Sequence, residues 1–154
     1  MRQGFHTNPP PMLMQHRDNL YINGEWVEPV KNNKKIRVIN PANEKFIGHV
    51  PWCTIEDVDN AVAAAKHTFS TWSKCSVDER INYLNAISTA LKERGEELSQ
   101  LITDEVGTPI GYSRMAMVGT PRVVSRSYAK MLENYSFEEE IRNSLVIKEP
   151  VGVC

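Results

Sequence analysis

Cys53, Cys75 and Cys154 are the thiols of this 154-residue sequence and its first candidates for nucleophilic chemistry. A catalytic thiol needs a lowered pKa and a partner base. Cys53 and Cys75 each fall just before a helix start, where the positive end of the dipole favours an anion. Each nevertheless reads more simply as a small half-buried residue. Cys154 follows Val151-Gly152-Val153 in strand-like surroundings. No C-x-x-C pair occurs and the cysteine count is odd, so a reducing, cytoplasmic setting is the simpler reading. His6 and His16 lie near the N-terminus, while His49 and His67 stand isolated, without the spacing of a zinc site. Gly107, Gly111 and Gly119 make neither G-x-G-x-x-G nor a P-loop, and they follow a helix rather than a strand. They read as cap and packing glycines. Glu93, Glu96 and Glu97 read as a solvated face. These residues assemble no catalytic site and no cofactor-binding site.

The elements that would position any site can be read from pattern. Residues 1–17, with Pro9 to Pro11, read as a disordered arm, in which Met12 or Met14 is an alternative start. Order begins at Leu20-Tyr21-Ile22-Asn23-Gly24-Glu25-Trp26-Val27, an Asn-Gly hairpin of type I′. Strands follow over 35–40 and 46–50, joined by Asn40-Pro41-Ala42-Asn43-Glu44, so that the first 50 residues form one small antiparallel unit. Thr54 caps a helix whose stripe is Val58, Val62, Ala65, Phe69 and Trp72. Ser76 and Glu79 form a capping box for a second helix, which turns Ile81, Leu84, Ile87 and Leu91 inward and ends at Gly95. A third runs over 96–106 and stops at Gly107, in the left-handed region. Residues 110–135 are helical in pattern, with a break or kink at Gly119-Thr120-Pro121 rather than one straight rod. Glu138-Glu139-Glu140 reads as a solvated loop and Ser144 to Glu149 as a strand. Trp26, Trp52 and Trp72 are core or edge anchors.

Composition sets the outer bounds. The chain is 41% hydrophobic and 24% charged, with a net charge of −1. It lacks the basic stripe of an electrostatic nucleic-acid binder and the polybasic run of a membrane-surface binder. No stretch approaches the roughly 18 apolar residues of a spanning helix.

The order of segments resembles the NAD(P)-dependent aldehyde dehydrogenase superfamily. The resemblance rests on Leu20 to Val27, Val38-Ile39-Asn40-Pro41-Ala42, and Glu56-Asp57-Val58-Asp59 leading through Ala64-Ala65 to Phe69 and Trp72. It continues through Glu79-Arg80 with Leu84, through Glu105-Val106-Gly107-Thr108-Pro109, and through Glu149-Pro150-Val151-Gly152-Val153. Bacterial-type members acting on small or xenobiotic aldehydes are the nearest in pattern. The resemblance implies an α/β fold overall, of which this N-terminal portion is locally α+β: a β-hairpin region, helices and one terminal strand. It implies oxidation of an aldehyde to a carboxylic acid with NAD or NADP, by a homo-oligomer, dimer or tetramer. In the family a cysteine thiolate attacks the carbonyl, hydride passes to the nicotinamide and a glutamate activates water. The oxyanion asparagine follows Glu-Pro-x-Gly-Val, and the phosphate loop, the glutamate and the nucleophile lie further along the family's sequence than Cys154. No catalytic role is therefore carried onto Cys154, and the chain reads as a truncated member, inactive alone and binding no cofactor by itself. The determinants of which aldehyde is oxidised, and of NAD against NADP, lie outside it.

On this reading residues 18–142 are the front of the cofactor-binding domain, 143–149 the first strand of the oligomerisation segment, and 150–154 the start of the nucleotide-binding sheet. Some members hold a monovalent cation through groups matching Ile39 and Glu105, although Glu105 stands where clearer cases have aspartate. If the apolar helix faces over 55–106 lack their sheet, Val62, Phe69, Leu84 and Leu91 stay partly exposed. The alternative is a small non-catalytic interaction protein that pairs through its exposed β segments.

Overall fold

The computed structural model of the chain describes residues 15, 16, 18–31 and 34–154. The arm expected over 1–17, with the alternative starts Met12 and Met14, otherwise lies outside the described residues. Gln15–His16 form a two-residue strand, β1, parallel to the strand at 46–51.

The Asn-Gly hairpin is present. Strands β2 (Leu20–Ile22) and β3 (Glu25–Val27) pair antiparallel. Asn23 and Gly24 take φ of 54° and 80°, as a type I′ turn requires. Tyr21 and Trp26 face each other across the ladder with ring centroids 5.1 Å apart. Strands β4 (Lys35–Ile39) and β5 (Phe46–Pro51) form a second antiparallel pair, with an irregularity after Val38. The front of the chain is thus two separate sheets, β2–β3 and β1–β5–β4, and not one antiparallel unit.

Helix α1 spans Ile55–Trp72 behind Thr54, and α2 spans Val77–Glu93 behind Ser76. Both N-termini carry full capping boxes, with Asp57 and Glu79 as the reciprocating acids. Helix α3 (Gly95–Val106) begins at the residue expected to end α2, and Gly107 closes it at φ 79°. A Cβ on Gly95 would meet Val118 Cγ1 at an ordinary contact distance of 3.8 Å, so the position does not demand glycine.

Of the break or kink expected at Gly119-Thr120-Pro121, no break occurs there. Instead α4 (Ile110–Tyr112) widens into a π segment, Ser113–Val118, and α5 continues over Gly119–Leu132. Gly119 N–H reaches back five residues to the Arg114 carbonyl. Pro121 lacks an N–H and its ring crowds the carbonyl four residues earlier, so widening the preceding turn accommodates it without ending the helix. The acidic run is likewise not a loop. Strand β6 (Glu138–Ile141) pairs with β7 (Ser144–Ile147) across the turn Arg142-Asn143, with Arg142 at φ 60°. The boundary drawn between 142 and 143 therefore cuts a hairpin at its turn.

The packed part lies between α2, α3, the π segment and α5. Ser88, on α2, donates to the Arg122 carbonyl of α5 at 3.1 Å, a contact that small residues permit. Ser113 is fully buried and shares a hydrogen bond of 3.0 Å with Thr103 of α3. Arg114 grips Glu96 through two bonds, at 2.8 and 2.5 Å. Among the described residues, Val118 and Ala129 are the buried hydrophobic side chains. The chain exposes 12668 Å², against the roughly 7,900 Å² of a compact monomer of this mass.

Candidate functional site

Two segments far apart in sequence meet at the end of α3. Asn40, just past β4, is buried, and its amide nitrogen donates to Asp104 Oδ1 at 3.2 Å. Its side-chain oxygen accepts from Ala42 N–H at 2.9 Å, and its backbone bonds with Glu44 and Lys45 close the turn. Asp104 uses its other oxygen to accept from Gln100 at 2.9 Å. Next to this joint Gly107 lies under Pro41: a Cβ on it would come within 2.8 Å of Pro41 Cγ. Positive φ and close approach both require glycine here. The joint is an interlock with its polar groups satisfied, so it positions elements and offers no free acid or base. Ile39 and Glu105 are the chain neighbours of Asn40 and Asp104, so both expected cation positions flank this joint. Each is exposed. Among the described residues no group of three or more His, Cys, Asp or Glu side chains gathers to hold a metal.

A second joint escaped the sequence reading. Asp57 is 3% exposed. It accepts from Thr54 N–H at 2.7 Å, Thr54 Oγ1 at 2.8 Å and Val30 N–H at 2.9 Å. The Thr54 amide, and then the Val30 amide, hold its carboxyl below the usual carboxylate range. This one carboxylate caps α1 and fastens it to the loop after β3. Its signal was readable in part, as T-x-x-D before an apolar stripe, but the bond to Val30 was not.

His49 is not isolated. Asp18 accepts from Lys35 Nζ and contacts His49 Nε2 at 2.7 Å. The β4–β5 register brings Lys35 and His49 to one face, because Arg37 pairs with His49. Lys35, then His49, lowers Asp18 to about 2. A carboxylate so firmly ionised is a poor proton acceptor at neutral pH. Asp18 and Lys35 border a cleft of about 360 Å³ that also takes in Glu28 and Lys34.

The remaining candidates separate. Cys53 and Cys154 are exposed and Cys75 is half-buried, and none of the three is in a disulfide. The exposure of Cys53 differs from the half-buried expectation, because it sits in the open link between β5 and the cap of α1. Trp26, Trp52 and Trp72 are all about half exposed, which makes them edge anchors. Trp72 meets Tyr83 edge-on at 5.3 Å. Val62 is 38% exposed, and Phe69, Leu84 and Leu91 are half-buried, as expected of faces without a sheet over them.

A dinucleotide pyrophosphate is held by free amides at a helix N-terminus. In α1 and α2 Thr54 and Ser76 each already accept from one of those amides, and α3 opens with Glu96 and Glu97, which are engaged by Arg114 and Arg94. Among the described residues, the N-termini of these three helices are thus poorly suited to a dinucleotide pyrophosphate. The described part of the chain contains no helix long and apolar enough to cross a membrane.

Comparison with known proteins gives this arrangement a context. The pattern described as "Aldehyde dehydrogenase family" matches residues 26–154. The 3-succinoylsemialdehyde-pyridine dehydrogenase of a Pseudomonas species is 36% identical over 144 residues, covering 92% of this chain and 30% of that protein. An aldehyde dehydrogenase of Bartonella henselae superposes with a TM-score of 0.78 at 28% identity, over 84% of this chain and 27% of that one. Aldehyde dehydrogenase C of Pseudomonas syringae, solved with NAD+ and octanal, gives 0.77 at 34% identity, over 84% and 28%. The chain thus spans under a third of the length of these relatives. Its interlocked segments, Ile39-Asn40-Pro41-Ala42 and Glu105-Val106-Gly107-Thr108-Pro109, are among those on which the resemblance rested. The chain belongs to the aldehyde dehydrogenase family, and carries its N-terminal portion.

Proposed function

We propose that this chain is the front part of an NAD(P)-dependent enzyme that oxidises an aldehyde to a carboxylic acid. The observation that carries the reading is the family match over residues 26–154, together with a shared fold over most of the chain. When bound, the cofactor supplies the hydride acceptor. The residues of this chain supply none of the chemical groups. Their part is to build a rigid helical face, through the Asn40–Asp104 and Asp57–Val30 joints, against which the rest of such an enzyme packs. The chain alone is inactive and cytoplasmic, and the complete protein is a homo-oligomer. A monovalent cation beside Ile39 and Glu105 belongs to the same reading.

The test joins this chain to the remaining, downstream part of the Pseudomonas relative. The joined protein should reduce NAD or NADP when given an aldehyde, followed by nicotinamide absorbance. The pure 154-residue chain should give no signal. A soluble, folded hybrid without activity would overturn the reading, and activity in the chain alone would overturn its inactivity. Sodium or potassium raising the melting temperature of the hybrid, but not of a Glu105→Ala version, would support the cation.

A further inference from the structure

Helices α2 and α5 meet through small residues. Ser88 and Ala129 are 9% and 3% exposed, and the Ser88 hydroxyl donates to the Arg122 carbonyl at 3.1 Å. That bond fixes the backbone of α5 against α2 at the residue that carries the first of a row of cations. Beside this seam the two helices border a groove of about 640 Å³, lined by Arg122, Arg126 and Lys130 of α5 and by Asn85 of α2. The three cations recur every four residues, so they stand in one row. Among the described residues none of the three has an ion-pair partner. One acid, Glu133, borders the groove, three residues past Lys130.

Like charges four apart on a helix repel, and no acid of α2 lines the groove to relieve them. An anion would. Arg122 and Arg126 are about 6 Å apart along the axis, a spacing at which two guanidinium groups on long stems close on one tetrahedral anion. A carboxylate has two oxygens and one charge, which a single guanidinium satisfies. A phosphate monoester has three free oxygens and a charge of about −1.5 to −2 at neutral pH, which matches two guanidinium groups and an ammonium. Three cations in a short groove are a point site, not the long basic face on which a nucleic acid lies. The groove lies within the roughly 300–1,000 Å³ of small-molecule sites. Val123, 63% exposed, gives it an apolar wall.

We infer that this groove holds the phosphate group of a small phosphorylated organic molecule. Arg122 and Arg126 clasp the phosphate, Lys130 neutralises its second charge, and Val123 covers the organic body. Glu133 weakens the Lys130 end, so the phosphate centres on the two arginines. Recognition is by side chains along a helix, unlike the amide cradle that holds a dinucleotide pyrophosphate. The site stands independently of the aldehyde-oxidation reading, since none of its residues enters that reading.

The test follows nitrogen-15 magnetic resonance spectra of the full chain while phenyl phosphate, and separately inorganic phosphate, is added at constant ionic strength. Phenyl phosphate should give saturable shifts gathered at the Arg122 and Arg126 side-chain N–H signals and at the amides of 85–88 and 122–130. Its dissociation constant should lie several-fold below that of inorganic phosphate. Equal constants at these signals would mean a free-phosphate site and overturn the organic ligand. Shifts that do not saturate, or that spread over the other surface cations, would overturn the site itself. Arg122→Gln with Arg126→Gln should raise the phenyl phosphate constant about tenfold or more. Glu133→Gln keeps all three cations and removes the one acid, so it should lower that constant about twofold. Helicity by circular dichroism should stay unchanged, since all three positions are exposed. If the double variant unfolds, Glu133→Gln alone decides. Unaltered binding in the folded variants would count against the assignment.

Discussion

Helices α1 and α5 have similar local specification and opposite fates. Helix α5 is continuous with a π turn that buries Val118 and Ser113, it buries its own Ala129, and it receives the Ser88 hydroxyl at the Arg122 carbonyl. Helix α1 has the better N-terminus, a complete capping box, yet its one buried residue is the capping carboxylate Asp57. Its apolar stripe stays open, with Val58, Val62 and Trp72 all more than a third exposed. Caps and periodicity create a helix; burial depends on a neighbour that local sequence does not supply. The contrast divides the chain into a packed part around α2, α3 and α5 and an open part around α1 and the β6–β7 hairpin. Predictions that separate these two parts follow from it.

The largest effect should come at the joint between β4 and α3. Gly107→Ala places a Cβ in the left-handed region and within 2.8 Å of Pro41 Cγ. The strain and the clash with a stiff ring together should destabilise the chain by about 3 kcal/mol. Urea unfolding followed by circular dichroism measures it, and Gly111→Ala, where a Cβ meets nothing within 4 Å, is the control. Equal losses in the two would show that the interlock carries no stability. Next in size, Val118→Ala removes a side chain that is 5% exposed and should cost about 2 kcal/mol. Val62→Ala, at 38% exposure, should cost well under half as much. A reversal of that order would move the core to the other side of the molecule.

How far the sequence reached follows the same division. The Asn23-Gly24 turn, the Thr54 and Ser76 caps and the Gly107 stop were all legible, because each is a local requirement on φ or on an orphan amide. The acidic strand β6 was misread as a loop. Glutamate is a poor strand former in isolation, and the ladder with Ser144–Ile147 that outweighs this preference lies outside any local window. The irregularity expected at Gly119-Thr120-Pro121 lies earlier, in the π segment Ser113–Val118, because Pro121 announces a conflict without saying where the helix will absorb it. Of the joints, Asn40 with Asp104 and Asp57 with Val30 link residues 64 and 27 positions apart. Such pairs become visible only through the fold or through a family likeness.

Acid should weaken the open part and the packed part by different carboxylates. Asp57 is lowered by the Thr54 and Val30 amides, Glu79 by Ser76, Glu96 by Arg114, and Asp18 to about 2 by Lys35 and His49. A group whose folded pKa is depressed stabilises fully above its unfolded value, about 4 for these acids, and loses that contribution as pH falls through the folded value. The urea midpoint should therefore hold from pH 7 to about 5 and fall steadily towards pH 2. Asp57→Asn should lower the plateau and flatten part of that fall, because this carboxylate caps α1 and ties it to the loop after β3. Glu96→Gln should flatten another part by releasing Arg114 on the packed side. Slopes unchanged in Asp57→Asn would mean that the α1 cap is not what joins α1 to the loop after β3.

The smallest effect on stability should be the most informative about the open face. Val58 and Val62 lie one turn apart on α1 and are 54% and 38% exposed. Replacing both by Lys removes little buried area and exchanges a β-branched residue for a better helix former, so unfolding should shift by no more than about 0.5 kcal/mol. The same double substitution removes apolar surface that a hydrophobic reporter dye can reach, so dye fluorescence should fall clearly. A loss near 2 kcal/mol would instead mean that α1 is packed within this chain, erasing the distinction from α5. If stability is kept and dye binding falls, the stripe is a surface that awaits a neighbour. In the hybrid with the downstream part of a relative, the same two lysines should then become strongly destabilising, because the apolar face would have a sheet to meet.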